Sequence, residues 1–442
     1  MHGHRQIISG IAALAIPAII TNITTPVLGL SDMAIVGHLG GAVYIAAIAV
    51  GAAVFNMLYW LCGFLRMGTS GLTAQCYGSR NIEGCSRSLA QAMTIAMGLG
   101  VLMILLQCPV FEGMILFMDC DEATRSVVHT YFSICVWGAP AVLGTFVLTG
   151  WWLGMQNSRT PMWVSIFIDL FNIGMSVTLV FLFHLRIEGV AIGTLAAQWA
   201  GFLLGLWLCK RKYHISVPHL SAVLKGAELK CFFKVNTDIF LRTVCLVSVT
   251  VWFTRIGSMQ GAEMLAVNAL LMQLFTLFSF FMDGFAFSAE ALCGRFKGSG
   301  NMAMLRRTVH TLMKCAGAIA LLFTLLYAIG GSEMLHLLTS DHGVVATAKE
   351  YFWWAVSIPL AGFAAFMWDG VSIGVTATRR MLISMLCATA LFFTIYFVAF
   401  PQMGNHGLWL AFIAYLLTRG IALWILNRQY WGTGHLSPYS AR

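Results

Sequence analysis

The sequence predicts an all-α membrane protein with twelve transmembrane helices in two similar six-helix bundles. The first observation is composition: hydrophobic residues make up 59% of the 442 positions and charged residues only 10%. Soluble domains are about a quarter charged, so this chain cannot cover a water-facing surface and must be solvated largely by lipid. The second is a series of twelve apolar runs, each near the roughly 20 residues that a spanning helix needs. The third is an internal repeat that divides the chain in two.

Loops that contain charged residues, glycine or asparagine separate the twelve runs. The first run extends past Ile20 without a small-x-small cleavage site, so we expect a retained span rather than a signal peptide. The first six predicted spans are 8–32, 43–74, 88–110, 126–152, 161–184 and 188–209. The second six are 232–256, 263–293, 307–330, 348–374, 380–401 and 406–427.

The distribution of lysine and arginine predicts the orientation. With the N-terminus placed inside, 18 of the 26 basic residues fall in inside loops and four in outside loops. Cytoplasmic loops carry such an excess. We therefore expect both termini in the cytoplasm, and the net charge of +9 needs no nucleic-acid partner to explain it.

The repeat appears when the chain is shifted by 220 residues. Gly78-Ser79-Arg80-Asn81 then aligns with Gly298-Ser299-Gly300-Asn301, and Gly150 aligns with Gly370. Because each half holds an even number of spans, both halves enter the membrane in the same direction, as in the parallel repeats of secondary transporters. We expect an N-terminal lobe at 1–212, a cytoplasmic linker at 213–231 and a C-terminal lobe at 232–442.

Ionisable side chains within the spans are the candidate functional residues, since such groups are costly in lipid and face a cavity or a partner. Carboxylates outnumber cations by six to two, which favours a cationic substrate, protons or Na⁺. A desolvated carboxylate also readily holds a proton. The residues are Asp32, Arg66, Asp169, Asp238, Arg242, Asp283, Glu290 and Asp369.

Asp32 follows Pro17 and Pro26 in the first span. Proline removes a backbone donor and lets a helix bend, so one interpretation is a carboxylate on a bendable helix. The other is an interfacial aspartate that ends the helix.

On the fifth span, Asp169, Asn172 and Ser176 lie on one helical face, and Thr194 lies on the sixth span. Oxygen atoms of this kind suit a hard cation or a hydrogen-bonded carboxylate. The alternative is a polar stripe that binds the helices to each other.

In the second half, Asp238 and Arg242 stand four residues apart, and we expect a structural salt bridge between them. Asp283 and Glu290 share one face of the eighth span. Asp369, beside a glycine in the tenth span, is with Asp283 the best proton candidate there. Arg66 is expected to pair with an acidic group.

Signatures of enzymes and of metal or nucleotide sites are missing from the sequence. It contains no H-E-x-x-H, G-x-S-x-G or Walker motif and no C-x-x-C framework. We therefore expect no enzymatic activity and no cofactor, and uphill transport would draw on an ion gradient.

Several stretches spread over nearly the whole chain resemble those of one family. They are 14–17 with Asp32 in 29–37, 63–68 with 74–75, Asn236 to Thr243, 283–291 and 369–374. Together they resemble the multidrug and toxic compound extrusion (MATE) transporters, and within them the DinF-like branch. The resemblance implies two six-helix lobes around a central cleft and cation-coupled efflux by alternating access.

The resemblance also implies roles for single residues. Asp32 matches the first-span aspartate that serves the family as a protonation or cation site. Asn172 and Thr194 match two members of a cation site, whereas Ser176 replaces the aspartate of that site. One anionic ligand is thereby lost, which favours protons over Na⁺, although Asp169 lies on the same face, one turn from Asn172.

The resulting expectation is a monomeric multi-pass protein of the bacterial inner membrane that exports organic cations or amphiphilic drug-like compounds in exchange for protons, with Na⁺ as the other coupling ion. A lipid-linked precursor flippase of the same superfamily is an alternative. Its anionic substrate should need several cavity arginines, and the chain offers mainly Arg66 and Arg242. A receptor or channel is a further alternative, which two matched halves of six spans disfavour.

Overall fold

The computed structural model describes residues 2–37, 42–118, 122–213, 227–339 and 341–432. These ranges contain fifteen α-helices, one 3₁₀ turn at 136–138 and one π-helical turn at 178–182, and no strand. The helices of the first half are α1 (His2–Gly37), α2 (Ala42–Leu61), α3 (Phe64–Gly78), α4 (Ile82–Leu105), α5 (Gln107–Met118), α6 (Glu122–Cys135), α7 (Ala139–Gly154), α8 (Arg159–Val177) and α9 (Ile187–Tyr213). Those of the second half are α10 (Ala227–Met259), α11 (Ala262–Gly298), α12 (Met302–Leu338), α13 (His342–Gly374), α14 (Thr378–Met403) and α15 (Asn405–Gly432).

The predicted number of spans is confirmed. Twelve helical stretches of the described chain are long and apolar enough to cross a bilayer, six in each half, and each predicted span overlaps one of them. Three predicted spans are divided into two helices. The second is interrupted at Cys62-Gly63, the third at Leu106, and the fourth at the 3₁₀ turn, where Pro140 occupies the first turn of α7. Proline is favoured there because that position has no intrahelical donor to lose.

The described residues form two compact units. The N-terminal unit contains Ile20–Thr73 and Asn81–Phe233, and the C-terminal unit contains Met1–Ile19, Ala74–Arg80 and Lys234–Arg442. The units differ from the lobes expected from sequence, because the start of α1 and the end of α3 group with the second half. Most of the expected linker, 214–226, lies outside the described residues, and 227–231 belong to α10.

The internal repeat is visible in the backbone. Asn81 and Asn301, 220 positions apart, cap α4 and α12 in the same way, each accepting a hydrogen bond from the amide three residues later. Positive φ angles recur at the same offset, which is unusual because non-glycine residues rarely adopt them. The pairs are Arg80 (60°) with Gly300 (70°), Gln156 (62°) with Thr376 (53°), and His184 (56°) with Gly404 (56°).

Two repeated glycines let backbones approach each other closely. A Cβ at Gly150 would lie 2.2 Å from the carbonyl oxygen of Arg66, and one at Gly370 would lie 2.4 Å from that of Ala286. Gly150 and Gly370 are 220 positions apart, and so are Arg66 and Ala286. Helices in lipid associate through such small residues, because lipid supplies no hydrophobic force between apolar surfaces. The glycine spacing in the sequence therefore reflects helix packing inside each unit.

Candidate functional site

Two carboxylates, one buried and one half-buried, lie close together in the N-terminal unit. Asp32 on α1 is 8% exposed and its Oδ1 has no hydrogen-bond partner among the described residues. Asp169 on α8 is half-buried, its Oδ2 is likewise unpartnered, and it lies within electrostatic range of Asp32. Neither carboxylate forms an ion pair within the part of the chain that the structure describes. Like charges without a counter-ion repel strongly in a poorly solvated site, so this pair has electrostatic reason to bind a proton or a cation.

Helix α1 carries Asp32 within its length and not at its end. The helix continues past both Pro17 and Pro26 and ends only at Gly37. Pro17 is buried and Pro26 is exposed, and each deletes one intrahelical donor. The division between the two units falls at Ile19–Ile20, shortly after Pro17. The interpretation of Asp32 as a helix-ending interfacial residue is therefore not supported.

Thr24 and Tyr131 also belong to this site, although sequence reasoning did not single them out for it. The Thr24 hydroxyl donates to the Thr21 carbonyl (3.0 Å), and its side chain lies beside the Asp169 carboxylate. Tyr131 on α6 is buried, lies within electrostatic range of Asp32, and packs so closely on α2 that a Cβ at Gly51 would be 2.6 Å from its ring. The only signal at Tyr131 in the sequence is that it aligns with Tyr351 when the chain is shifted by 220 residues.

The structure brings Asn172, Ser176 and Thr194 together in a chain of hydrogen bonds between α8 and α9. The Ser176 hydroxyl donates to Asn172 Oδ1 (2.9 Å), and Asn172 Nδ2 donates to Thr194 Oγ1 (3.3 Å). Thr194 in turn donates to the Val190 carbonyl (3.0 Å). These groups satisfy one another without an ion, as expected for a polar stripe that binds two helices.

The C-terminal unit contains a buried ionic triad. Asp369 on α13 is 6% exposed and accepts hydrogen bonds through Oδ2 from Arg242 on α10 and Arg419 on α15. Arg419 is 4% exposed, and its guanidinium lies 5.5 Å from the centre of the Tyr415 ring. Two guanidiniums and one carboxylate give the triad a net charge of +1.

The expected pairing of Asp238 with Arg242 is wrong. Arg242 binds Asp369, while Asp238 accepts from the Thr378 hydroxyl (3.1 Å) and lies 3.5 Å from Arg379. The i, i+4 spacing permits a local pair, but α13 and α14 offer both side chains partners that the sequence cannot reveal. Arg419 was missed as a member of the site, although a cation in an apolar run was a visible signal.

The remaining predicted residues occupy separate positions. Asn236 and Glu290 are buried in the C-terminal unit. Asp283 is half-buried and lies two turns before Glu290 on the same face of α11. Arg66 is half-buried on α3 of the N-terminal unit. Within the described residues, no group of three or more histidine, cysteine, aspartate or glutamate side chains is arranged to hold a metal ion.

Comparison with known proteins identifies the family. The MatE family model matches residues 17–178 and 239–399, one match in each half. DNA damage-inducible protein F of Escherichia coli (strain K12) is 35% identical, over 95% of this chain and 92% of its own. A probable multidrug resistance protein NorM of Geobacillus kaustophilus is 21% identical over 95% of this chain and 94% of its own.

Solved structures share the fold. One described as an outward-facing multidrug resistance MATE family transporter of the MOP superfamily superposes with a TM-score of 0.86 at 18% identity, covering 97% of this chain and 96% of the other. Both halves of the chain match the family model, and the E. coli relative aligns over nearly its whole length. The chain therefore belongs to the MatE family, the multidrug and toxic compound extrusion transporters, and is a multi-pass membrane transporter of the DinF type rather than an enzyme.

Proposed function

We propose that this transporter is a secondary active antiporter that exports organic cations or amphiphilic compounds in exchange for protons. The observation that carries the proposal is the pair Asp32 and Asp169, two carboxylates that lack a counter-ion among the described residues. One bound proton removes the repulsion between them, and its release restores it. Binding and release of a proton at this pair can therefore drive a transport cycle.

The C-terminal triad supports this assignment by contrast. Asp369 was a proton candidate on sequence grounds, but two buried guanidiniums contact its carboxylate. Protonation of Asp369 would leave both cations without a counter-ion, which is costly in a buried site. We therefore assign coupling to Asp32 and Asp169, with Asp369 in a structural role.

Protons are preferred to Na⁺ because of the ligands around these carboxylates. A hard cation needs several free oxygen ligands. The Asn172 and Thr194 oxygens are already engaged in the chain of hydrogen bonds with Ser176 and Val190. A proton needs no such shell, so it fits the pair without rearrangement of the neighbouring stripe.

Helix α1 can couple protonation and deprotonation of Asp32 to access of the substrate site. Pro17 lies close to the point where α1 passes from the residues of one unit to those of the other, and proline weakens a helix locally. We propose that protonation of Asp32 changes the bend of α1 and thereby the access of the substrate site, as alternating access requires.

The test is transport in proteoliposomes that hold a fluorescent organic cation. A pH gradient and a Na⁺ gradient are imposed separately on wild type, Asp32→Asn and Asp169→Asn. We expect wild type to respond to the pH gradient and both variants to lose at least about tenfold in rate. Asp238→Asn is the matched control, because it makes the same change at a buried carboxylate that keeps its Thr378 contact. Undiminished transport by Asp32→Asn would contradict the proposal, and a response to Na⁺ alone would assign the other ion.

A lipid-linked precursor flippase remains the second candidate, favoured by one observation. Arg419 is a second buried cation beside Arg242, in addition to the half-buried Arg66, and the triad keeps a net positive charge. If the substrate is anionic, Arg419→Gln should lower the transport rate and Asp32→Asn should not.

We further propose that the protein acts as a monomer, with both termini in the cytoplasm, as the excess of basic residues in the inside loops predicts.

A further inference from the structure

A long groove lies on the C-terminal unit between α12 and α15, with α13 as its floor. Its volume is about 780 Å³. Small residues meet at the floor: a Cβ at Gly420 on α15 would lie 3.0 Å from the side chain of Ala364. On the other wall, a Cβ at Gly317 of α12 would lie 3.8 Å from the ring of Phe363. Each outer helix therefore meets α13 at one of its own glycines.

The groove combines apolar walls with a row of basic residues. Leu360, Leu417 and Ile421 line it and are 47%, 42% and 54% exposed. Along α12, the lining residues Arg306, His310 and Lys314 recur every fourth position and are exposed. Residues at this spacing share one helical face, and no carboxylate is among the described residues that line the groove.

The three basic residues lie on one face of α12, within its first four turns. Side chains of a helix tilt towards its N-terminus, so all three extend towards the end of α12 at which Arg306 lies. Lys314 is about 12 Å deeper than Arg306 along the axis, and a long lysine side chain can cover part of that distance. Lys314 forms no ion pair with any described residue, so a cation at this depth lacks an anion.

Aromatic and cationic groups mark the same end. Trp368 and Trp424 line the groove on α13 and α15, and the guanidinium of Arg428 lies 5.3 Å from the centre of the Trp424 ring. Tryptophan concentrates at the level of lipid headgroups. The basic end of the groove is therefore placed near a bilayer surface, and its apolar part extends towards the bilayer centre.

We propose that this groove binds one anionic phospholipid, with the headgroup phosphate among Arg306, His310 and Lys314 and an acyl chain along Leu360 and Leu417. Basic pockets between transmembrane helices bind anionic headgroups in this way. A soluble anion would leave the apolar walls without a ligand, and a neutral lipid would leave Lys314 without an anion. The site is separate from Asp32 and Asp169 and does not depend on which ion drives transport.

The test measures lipid retention by native mass spectrometry on the full chain, purified with equal amounts of phosphatidylglycerol and phosphatidylethanolamine. Wild type should retain phosphatidylglycerol. Arg306→Gln with Lys314→Gln should weaken retention about 25-fold, since each basic residue near an anionic lipid contributes roughly fivefold. Arg307→Gln is the matched control: Arg307 is exposed on the same turn but does not line the groove, so retention should be unchanged.

Three results would overturn the proposal. The first is an equal loss of phosphatidylglycerol retention in Arg307→Gln, which would indicate an effect of general surface charge. The second is retention of phosphatidylethanolamine equal to that of phosphatidylglycerol. The third is displacement of the lipid by millimolar glycerol phosphate, which would indicate a site for soluble anions. Lys314→Arg serves as a second variant that keeps the charge and the fold, and it should retain the lipid. A Lys314→Arg protein that folds yet loses phosphatidylglycerol would also contradict the proposal.

Discussion

Arg419 on α15 donates a hydrogen bond of 2.5 Å to Asp369 on α13, and both side chains are buried. Arg242 reaches the same carboxylate oxygen from α10. One carboxylate thus holds cations from two other helices of the C-terminal unit. Buried ion pairs of this kind add little net stability compared with apolar packing, but removal of one partner is costly because the remaining charge is left uncompensated.

Asp369→Asn should therefore destabilise the protein strongly. The change leaves two buried guanidiniums without a carboxylate, and we expect a loss of about 3–5 kcal/mol in the free energy of unfolding. Asp238→Asn is the control, because its cationic partner Arg379 is 67% exposed, and the loss there should stay below about 1 kcal/mol. Thermal unfolding in detergent measures both. Arg419→Gln leaves a neutral pair and should cost less than Asp369→Asn; the opposite order would contradict the account of the triad.

In the N-terminal unit, replacing an aspartate with asparagine should stabilise the protein and not destabilise it. Asp32→Asn and Asp169→Asn each remove one of two mutually repelling charges, so each should raise the free energy of unfolding by about 1 kcal/mol while transport falls. The measurement is again thermal unfolding, performed at neutral pH beside the transport assay. The double variant should gain less than the sum of the single ones, since the repulsion can be removed only once. Destabilisation by either single variant would indicate a counter-ion for the pair.

These contrasts show which features the sequence could predict. The twelve spans follow from the length of the apolar runs, and the repeat follows from glycines and caps at a fixed offset, because both are local properties of the chain. The partners of Arg242 are not local: its i, i+4 neighbour Asp238 was the obvious choice, yet Asp369 and Arg419 are distant in sequence. For the same reason the sequence could place Asp32 and Asp169 in spans but could not bring them together.

Gly150→Ala and Gly370→Ala should both destabilise their units. Each added methyl group meets a backbone carbonyl, at 2.2 Å for Gly150 and 2.4 Å for Gly370, and backbone cannot rotate away as a side chain can. We expect a cost of about 1–3 kcal/mol for each. Gly98→Ala on α4 is the control, since a Cβ there meets nothing within 4 Å and alanine favours the helix by up to about 1 kcal/mol. Equal stability of the three variants in thermal unfolding would show that the backbone contact does not limit packing.

Ser176→Asp should introduce a response to Na⁺. Ser176 donates to Asn172 Oδ1 and is fully buried. A carboxylate at this position cannot donate, so it frees Asn172 Oδ1 and adds an anionic ligand two turns from Asp169 and near Thr194. We expect transport driven by a Na⁺ gradient to rise at least about threefold over wild type in proteoliposomes. Ser176→Asn is the control for size without charge, which matters because the Ser176 hydroxyl lies 2.4 Å from where a Cβ of Gly193 would stand. A folded Ser176→Asp protein that still responds only to the pH gradient would show that the stripe of Asn172, Ser176 and Thr194 holds helices together and does not select the ion.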